Sequence, residues 1–367
     1  MEGVIITSRL YHTILAALQT ALPDVLPSQH ESLGLVVTGI ARSLSGHIGK
    51  IARNLPLPTR QDSKEQRVRR LLDNPRISVA AHYHPIVRRA IAGLVRQPVH
   101  LVLDRVLLHN RHNLLVVGLA FRRRVIPLAW RRLPHLGSSN LEDQKAVLRE
   151  AIAVLPSGVR ITLHADSEFG SQPLVAFVQQ QGWAYFLGVR GSTLVSDQSK
   201  APAQALQARV RPEDGIVYLN GVYLTEDRIG PRNLYAWWSK SDRGEPILRA
   251  VQTSHQATPH AYRIGKRRMW IEPMFREWES GGFGLDTSGQ LPGERLERLL
   301  IPMVVVYLWF TALGRYITQR GWRHFVDGGP VKARVGQWGL FQRGVGWFQR
   351  SVSLEHPPPP VLFYMSP

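Results

Sequence analysis

The sequence contains no cysteine. That excludes disulfides, zinc–thiolate sites and thiol nucleophiles, and it suits a reducing compartment. Acidic residues are scarce: 27 against 46 Lys and Arg, a formal net charge of +19. Such an excess favours polyanions as partners, nucleic acid ahead of an acidic membrane surface, with a ribosomal-type or merely basic protein as the bland alternative. A long apolar run is also missing. The longest, Ile301 to Leu313, holds Pro302 and falls short of the about 20 residues that a membrane span needs. A buried helix is expected there instead. The first residues, with Glu2 and no apolar core, do not read as a secretory signal. No amphipathic basic helix with an aromatic face stands out, so no membrane partner is expected. The expected location is cytoplasmic, associated with the nucleoid.

What is present is ordinary in bulk. The chain has 367 residues, 44% hydrophobic and 20% charged, enough for two or three structural units. Residues 1–95 read as a helical unit with 12 basic and 6 acidic side chains. Ser63 heads a possible capping box, followed by Val68, Leu71 and Leu72 at helical spacing. Lys64, Arg67, Arg69 and Arg70 would then form an outer basic face able to meet DNA, although a charged helix face is also simply well solvated.

Residues 96–190 change character. VHLVLDRVLL, NLLVVGLAF and RRVIPLAW are Val-, Leu- and Ile-rich runs that read as a strand meander. Asn140 can cap a helix striped by Leu141, Leu148, Ile152 and Leu155. RITLHAD then reads as a strand, Ser171–Gln181 as a helix and WAYFLGV as a strand. The order β-β-β-α-β-α-β predicts an α/β fold, a mixed five-stranded sheet with flanking helices. Residues 191–255 read as a mainly β insertion whose last strand can join the central sheet. Residues 256–320 return to helix, with a long apolar helix over 294–319. Residues 321–367 are Gly-, Trp- and Arg-rich and end in EHPPPP, a basic region with a solvated or disordered tail.

Three carboxylates stand out. Asp104 lies inside an apolar strand, where a charge is costly unless paired or bound to metal. Asp166 closes another apolar strand, and strand ends beside helices are where ligands bind in open sheets. Glu272 precedes Pro273, which suits a first helical turn. Together they can form an oxygen cage for Mg²⁺ or Mn²⁺. Two such ions, roughly 3.5–4 Å apart, serve phosphoryl transfer. The bland alternatives are salt-bridged strand acids and a Glu that favours a helix N-terminus.

At these residues the sequence resembles the DDE insertion-sequence transposases, in the group with a β insertion before the last acid. That group belongs to the RNase H-like, retroviral-integrase superfamily. The resemblance is carried by LVLDRVLLHNRHNLLVVGLAFRRRVIPLAW, LHADSEFGSQPL, RRMWIEPMFREWESGGFGL and, weakly, GLFQRGVGWFQR. It implies an RNase H-like fold, a catalytic and metal-binding triad of Asp104, Asp166 and Glu272, and a Mg²⁺ or Mn²⁺ cofactor. It implies double-stranded DNA as partner, both element ends and target, bound by a homodimer. The implied reaction frees a 3′-hydroxyl at an element end, passes through a hairpin, and joins the end to target DNA. The group's signature around the last acid is Tyr, Arg, Glu and Lys. Here Arg268 and Glu272 match, while Gly265 and Glu279 stand where Tyr and Lys are expected. A copy that binds DNA ends without cutting, or a nuclease without strand transfer, stays open.

Further DNA-binding candidates are Arg268, Arg276, Trp237 and Trp238. Arg268 either contacts a phosphate or pairs with an acid. Adjacent Trp residues on a strand face opposite ways, so at most one of the pair can stack a base. Glu168 reads as a turn acid or a substitute ligand. His109, His112 and His164 read as fold or DNA contacts.

Overall fold

The structure is a computed structural model and describes residues 2–94, 98–225, 227–241, 243–285, 291–327, 339–356 and 358. The chain opens with helices α1 (Glu2–Ala21), α2 (Pro27–Ser43), α3 (Ile48–Arg53), α4 (Gln61–Asp73), α5 (Val79–His82) and α6 (His84–Ile91). The expected Ser63 capping box does not form, because α4 starts two residues earlier, at Gln61. The Gln61 amide bonds the Gly49 carbonyl at 3.2 Å and Glu65 at 3.0 Å, which fixes the extra residues in the first turn.

Strands β1 (Val99–Leu108), β2 (His112–Phe121) and β3 (Arg124–Leu133) form an antiparallel meander. The β2–β3 connection is a two-residue turn, with φ of 46° at Arg122 and 64° at Arg123. Helix α7 (Leu141–Ile152) begins where Asn140 accepts the Asp143 N–H at 2.9 Å. It leads to β4 (Ile161–Ala165), parallel to β1. Helix α8 (Gln172–Gln180) leads to β5 (Ala184–Val189), parallel to β4.

The sheet is wider than the five strands expected. After β6 (Leu194–Ser196), β7 (Gln204–Ala205), α9 (Leu206–Arg209), β8 (Ile216–Leu224) and β9 (Ile229–Lys240), strand β10 (Pro246–Thr253) pairs antiparallel with β5. One sheet of ten strands results, ordered β3-β2-β1-β4-β5-β10-β9-β8-β6-β7. The physical reason is the bare edge of β5: its N–H and C=O groups need partners, and the insertion supplies them.

Helix α10 (Pro259–Gly265), a 3₁₀ segment Lys266–Ile271 and α11 (Glu272–Trp278) follow. Helix α12 (Gly293–Gln319) is long and apolar enough to cross a membrane, but 89% of its apolar window is buried inside the fold. It lies in a hydrophobic cluster that also takes in Leu71, Ile86, Leu103, Val116, Trp278 and Phe341. The C-terminal region departs from the expected tail. Helix α13 (Leu340–Ser353) packs on α12 with Phe341 and Phe348 buried. A side chain at Gly344 would strike the Phe310 carbonyl, and one at Gly314 the Leu340 carbonyl. Glycine there lets two helix backbones touch. Of EHPPPP, only Glu355, His356 and Pro358 fall within the described residues.

Candidate active site

Register brings the acids to one place. Leu103 pairs with Ala165 across the parallel β1–β4 ladder, so Asp104 and Asp166, one residue on, point to the same face. Asp104 is 9% exposed. Its Oδ1 accepts the Arg105 N–H at 2.8 Å. Asp166 caps the short turn after β4, its Oδ1 accepting the Glu168 N–H at 2.7 Å. Each aspartate thus has one oxygen held by backbone and the other turned inward. Glu272 opens α11, just ahead of Pro273, as expected.

The inward oxygens meet Arg268, carried above the strands by the 3₁₀ segment. One guanidinium nitrogen lies 2.9 Å from Asp166 Oδ2 and 3.5 Å from Asp104 Oδ2; the other lies 2.8 Å from Glu272 Oε1. Among the described residues, no group of three His, Asp or Glu side chains is arranged to hold a metal ion directly. The triad closes on a guanidinium instead. The donor set is all carboxylate oxygen, and a cation already stands at its centre. Both facts fit a hard divalent cation.

Burial pushes the Asp104 carboxyl up to about 6, and Asp166 and Glu272 push the same way; Arg268 and the Arg105 N–H oppose them. The folded state therefore keeps this proton to a higher pH than the unfolded chain does. Without metal, stability should fall as pH rises from about 4 to about 6, by an amount on the order of 2 kcal/mol. Thermal melts across that range test this, with Asp104→Asn as control. A wild-type slope identical to that of the asparagine variant would refute it.

Glu168 is not part of the triad. Arg105 holds it with guanidinium contacts of 2.8 and 3.0 Å. His164, read from sequence as a fold or DNA contact, lines the floor beside the acids together with His100 and Arg267, which were not singled out from sequence. His100 and His164 share the face of Asp104 and Asp166, and their Nδ1 and Nε2 lie 2.9 Å apart. Arg267, next to Arg268, covers His100. His164 is fully buried and held well below the usual imidazole range, first by desolvation and then by His100 and Arg267. Burial likewise holds His100 down at about 4. The even spacing of His100 from Asp104, and of His164 from Asp166, was the available signal. Neutral imidazoles here tie the arginine-bearing segment to the sheet. His109 sits at the β1–β2 turn with φ of 55°, and His112 is buried.

The two tryptophans divide as strand geometry requires. The Trp238 indole N–H donates to the Val210 carbonyl at 2.8 Å, and its ring packs on the insertion's own core. Trp237 stacks on Tyr235 at 5.9 Å and meets Tyr262 edge-on at 5.3 Å. Register through Phe186, Thr253 and Asn233 puts Trp237 on the face of Asp166.

The departure at Gly265 has a structural cause. A Cβ there would collide with the Tyr235 hydroxyl and press on Phe186. Tyr235, from the insertion, fills the room a tyrosine at 265 would need. Gly265→Tyr should cost about 3 kcal/mol of stability by overpacking, partly recovered by adding Tyr235→Ala. Denaturant titration of the single and double variants checks this, and a fully stable single variant would disprove the crowding. Glu279 ends α11.

The remaining candidates lie apart. Arg276 is exposed on α11. On α4, Arg67 and Arg70 are exposed and border a cleft with Ser32 and Val36. Lys64 and Arg69 do not stand on a free outer face. Lys64 reaches the Leu55 carbonyl at 3.3 Å, and Arg69 pairs with Glu65 at 3.7 Å. Helix α4 packs on α12 and α2, which turns part of its surface inward. No known protein-family model matches the chain, and no curated protein matches it significantly.

Proposed function

We propose that the chain is a DDE transposase with an RNase H-like core, cutting DNA at the ends of a mobile element and joining them to a target. The observation that carries this reading is the convergence of Asp104, Asp166 and Glu272, from distant parts of the sequence, on one cation. The order β3-β2-β1-β4-β5, antiparallel across its first pairs and parallel across its last, supports the RNase H-like assignment. The β strands between β5 and Glu272 support the group with an insertion. The charge of +19 supports a polyanionic substrate.

Asp104, Asp166 and Glu272 would hold Mg²⁺ or Mn²⁺, which supplies activation of water or a 3′-hydroxyl and neutralises charge on the reacting phosphate. The backbone N–H groups of Arg105 and Glu168 fix the aspartates, so their inward oxygens need little reorganisation. Arg268, released from the acids, is in reach of a phosphate brought to them. The Trp237 face offers a stacking surface to an unpaired base.

The purified full chain, mixed with DNA bearing the inverted repeats that flank its gene, tests this. Cutting and joining are scored separately, in Mg²⁺, Ca²⁺ and EDTA. Cutting and joining in Mg²⁺, with binding alone in Ca²⁺, support the reading. Robust cutting in EDTA overturns it. Gly265 and Glu279 favour a second reading, a protein that holds ends without cutting, and binding alone under all conditions would select it.

A further inference from the structure

We propose that the chain carries a second DNA surface, at the end of the sheet away from the acids, which grips the phosphate backbone of a duplex. It is formed by the β2–β3 turn, the C-terminal end of α12 and α13.

The turn is the first observation. A two-residue hairpin turn with both φ positive is cheapest as Asn-Gly. Here both positions are arginine, Arg122 and Arg123, and both are exposed. A bulky residue in the left-handed region costs about 1–2 kcal/mol. Such strain persists where the side chains are needed.

The neighbourhood is the second. Arg122 and Arg315 both lie against the Phe121 ring, at 5.8 and 5.4 Å. Arg320 lies over Tyr316 and Trp322, at 5.2 and 5.8 Å. Trp322 stacks on Trp347, and Arg350 lies over Phe325 at 5.2 Å. Phe325 is 48% exposed. Among the described residues from Arg315 to Ser353 there are five arginines but one acid, Asp327. That acid is buried and paired with Arg343 at 3.1 Å. Among the described residues, no carboxylate pairs with Arg122, Arg123, Arg320, Arg323 or Arg350. Like charges gathered without counter-ions fit an external polyanion. Guanidinium groups already held against rings lose little side-chain freedom on binding it. Trp322 has Arg320 over its ring and Trp347 stacked on it, which favours phosphates over unstacked bases as ligand.

Place is the third. Asp104 pairs with Val116, while the turn follows Phe121. Five residues along a strand is about 17 Å. A duplex here is therefore a different segment from the one at the acids. The proposal rests on the transposase reading only for the identity of the polyanion.

The test uses the full chain in an Asp104→Asn background, so that nothing is cut, with a short duplex of unrelated sequence. Affinity is measured against salt for Arg122→Asn with Arg123→Gly, and for Arg320→Gln with Arg350→Gln. Each pair should weaken binding about tenfold and flatten the log–log salt slope by about 0.9 for each phosphate no longer neutralised. The first pair should also raise the melting temperature, because it installs the favoured turn, so weaker binding there is not a failure to fold. Unchanged affinity and slope in both pairs would overturn the proposal, as would a weakening confined to single-stranded DNA. In the Asp104 wild-type background, end cutting should persist in both pairs. Absence of cutting by the parent chain would defeat the transposase reading and leave the binding result standing.

Discussion

Replacing Arg268 with glutamine should raise the affinity of the DNA-free protein for Mn²⁺ by about tenfold or more, roughly 1.4 kcal/mol. In the parent chain the guanidinium touches all three carboxylates, at distances from 2.8 to 3.5 Å. A divalent ion entering the triad must displace that charge. Without it, three acids face one another uncompensated, and Asp104 is already pushed up to about 6 by burial first. A cation from solution then relieves the repulsion without breaking any ion pair. Calorimetric titration with Mn²⁺ in the absence of DNA measures the difference. Equal or weaker affinity in Arg268→Gln would show that the guanidinium does not compete. In the parent chain, a DNA phosphate that draws Arg268 away should strengthen Mn²⁺ binding. By linkage, Mn²⁺ should strengthen DNA binding by the same factor.

Asp104→Asn should lower the rate of end cutting by a factor on the order of a thousand or more, while specific end binding stays within about twofold. The amide keeps the shape and can keep the bond from the Arg105 N–H. It loses the charge of the inward oxygen. Asp166→Asn and Glu272→Gln should behave alike. Glu168→Gln is the contrast: its carboxylate serves Arg105, so cutting should survive and stability should fall. Gel assays of cutting and binding on one substrate separate the two effects. Wild-type cutting by Asp104→Asn would remove the basis of the mechanism.

Much of the fold is readable from the sequence because its signals are local. The β1–β3 meander shows as apolar runs broken by short polar turns, and Asn140 announces α7 through its own cap. Asp104 and Asp166 show because a carboxylate in an apolar strand is conspicuous. Relations between distant segments are not readable. The contact of His100 with His164 depends on the β1–β4 register, which no local pattern sets. Arg268 stays open between phosphate and acid, since only the fold brings three acids around it. The width of the sheet depends on which edge β10 chooses. Helix α13 is hidden by its glycines, which weaken helix propensity yet are required where α13 meets α12.

The continuity of the insertion with the central sheet makes the molecule a ruler. Asp166 follows β4, and Trp237 lies on β9, on the same face and three strand spacings away through β5 and β10. At about 4.8 Å per spacing, that is about 14 Å. The figure is set by backbone hydrogen bonds, not by loops. Lengthening the connections after β5 or β9 would leave it unchanged. A one-residue slip of β9 against β10 would keep the distance too, but turn Trp237 to the far face and bring Trp238 to the near one. The span between the acids and the aromatic face is thus counted in whole strands, and which ring shares the face of the acids is decided by register alone.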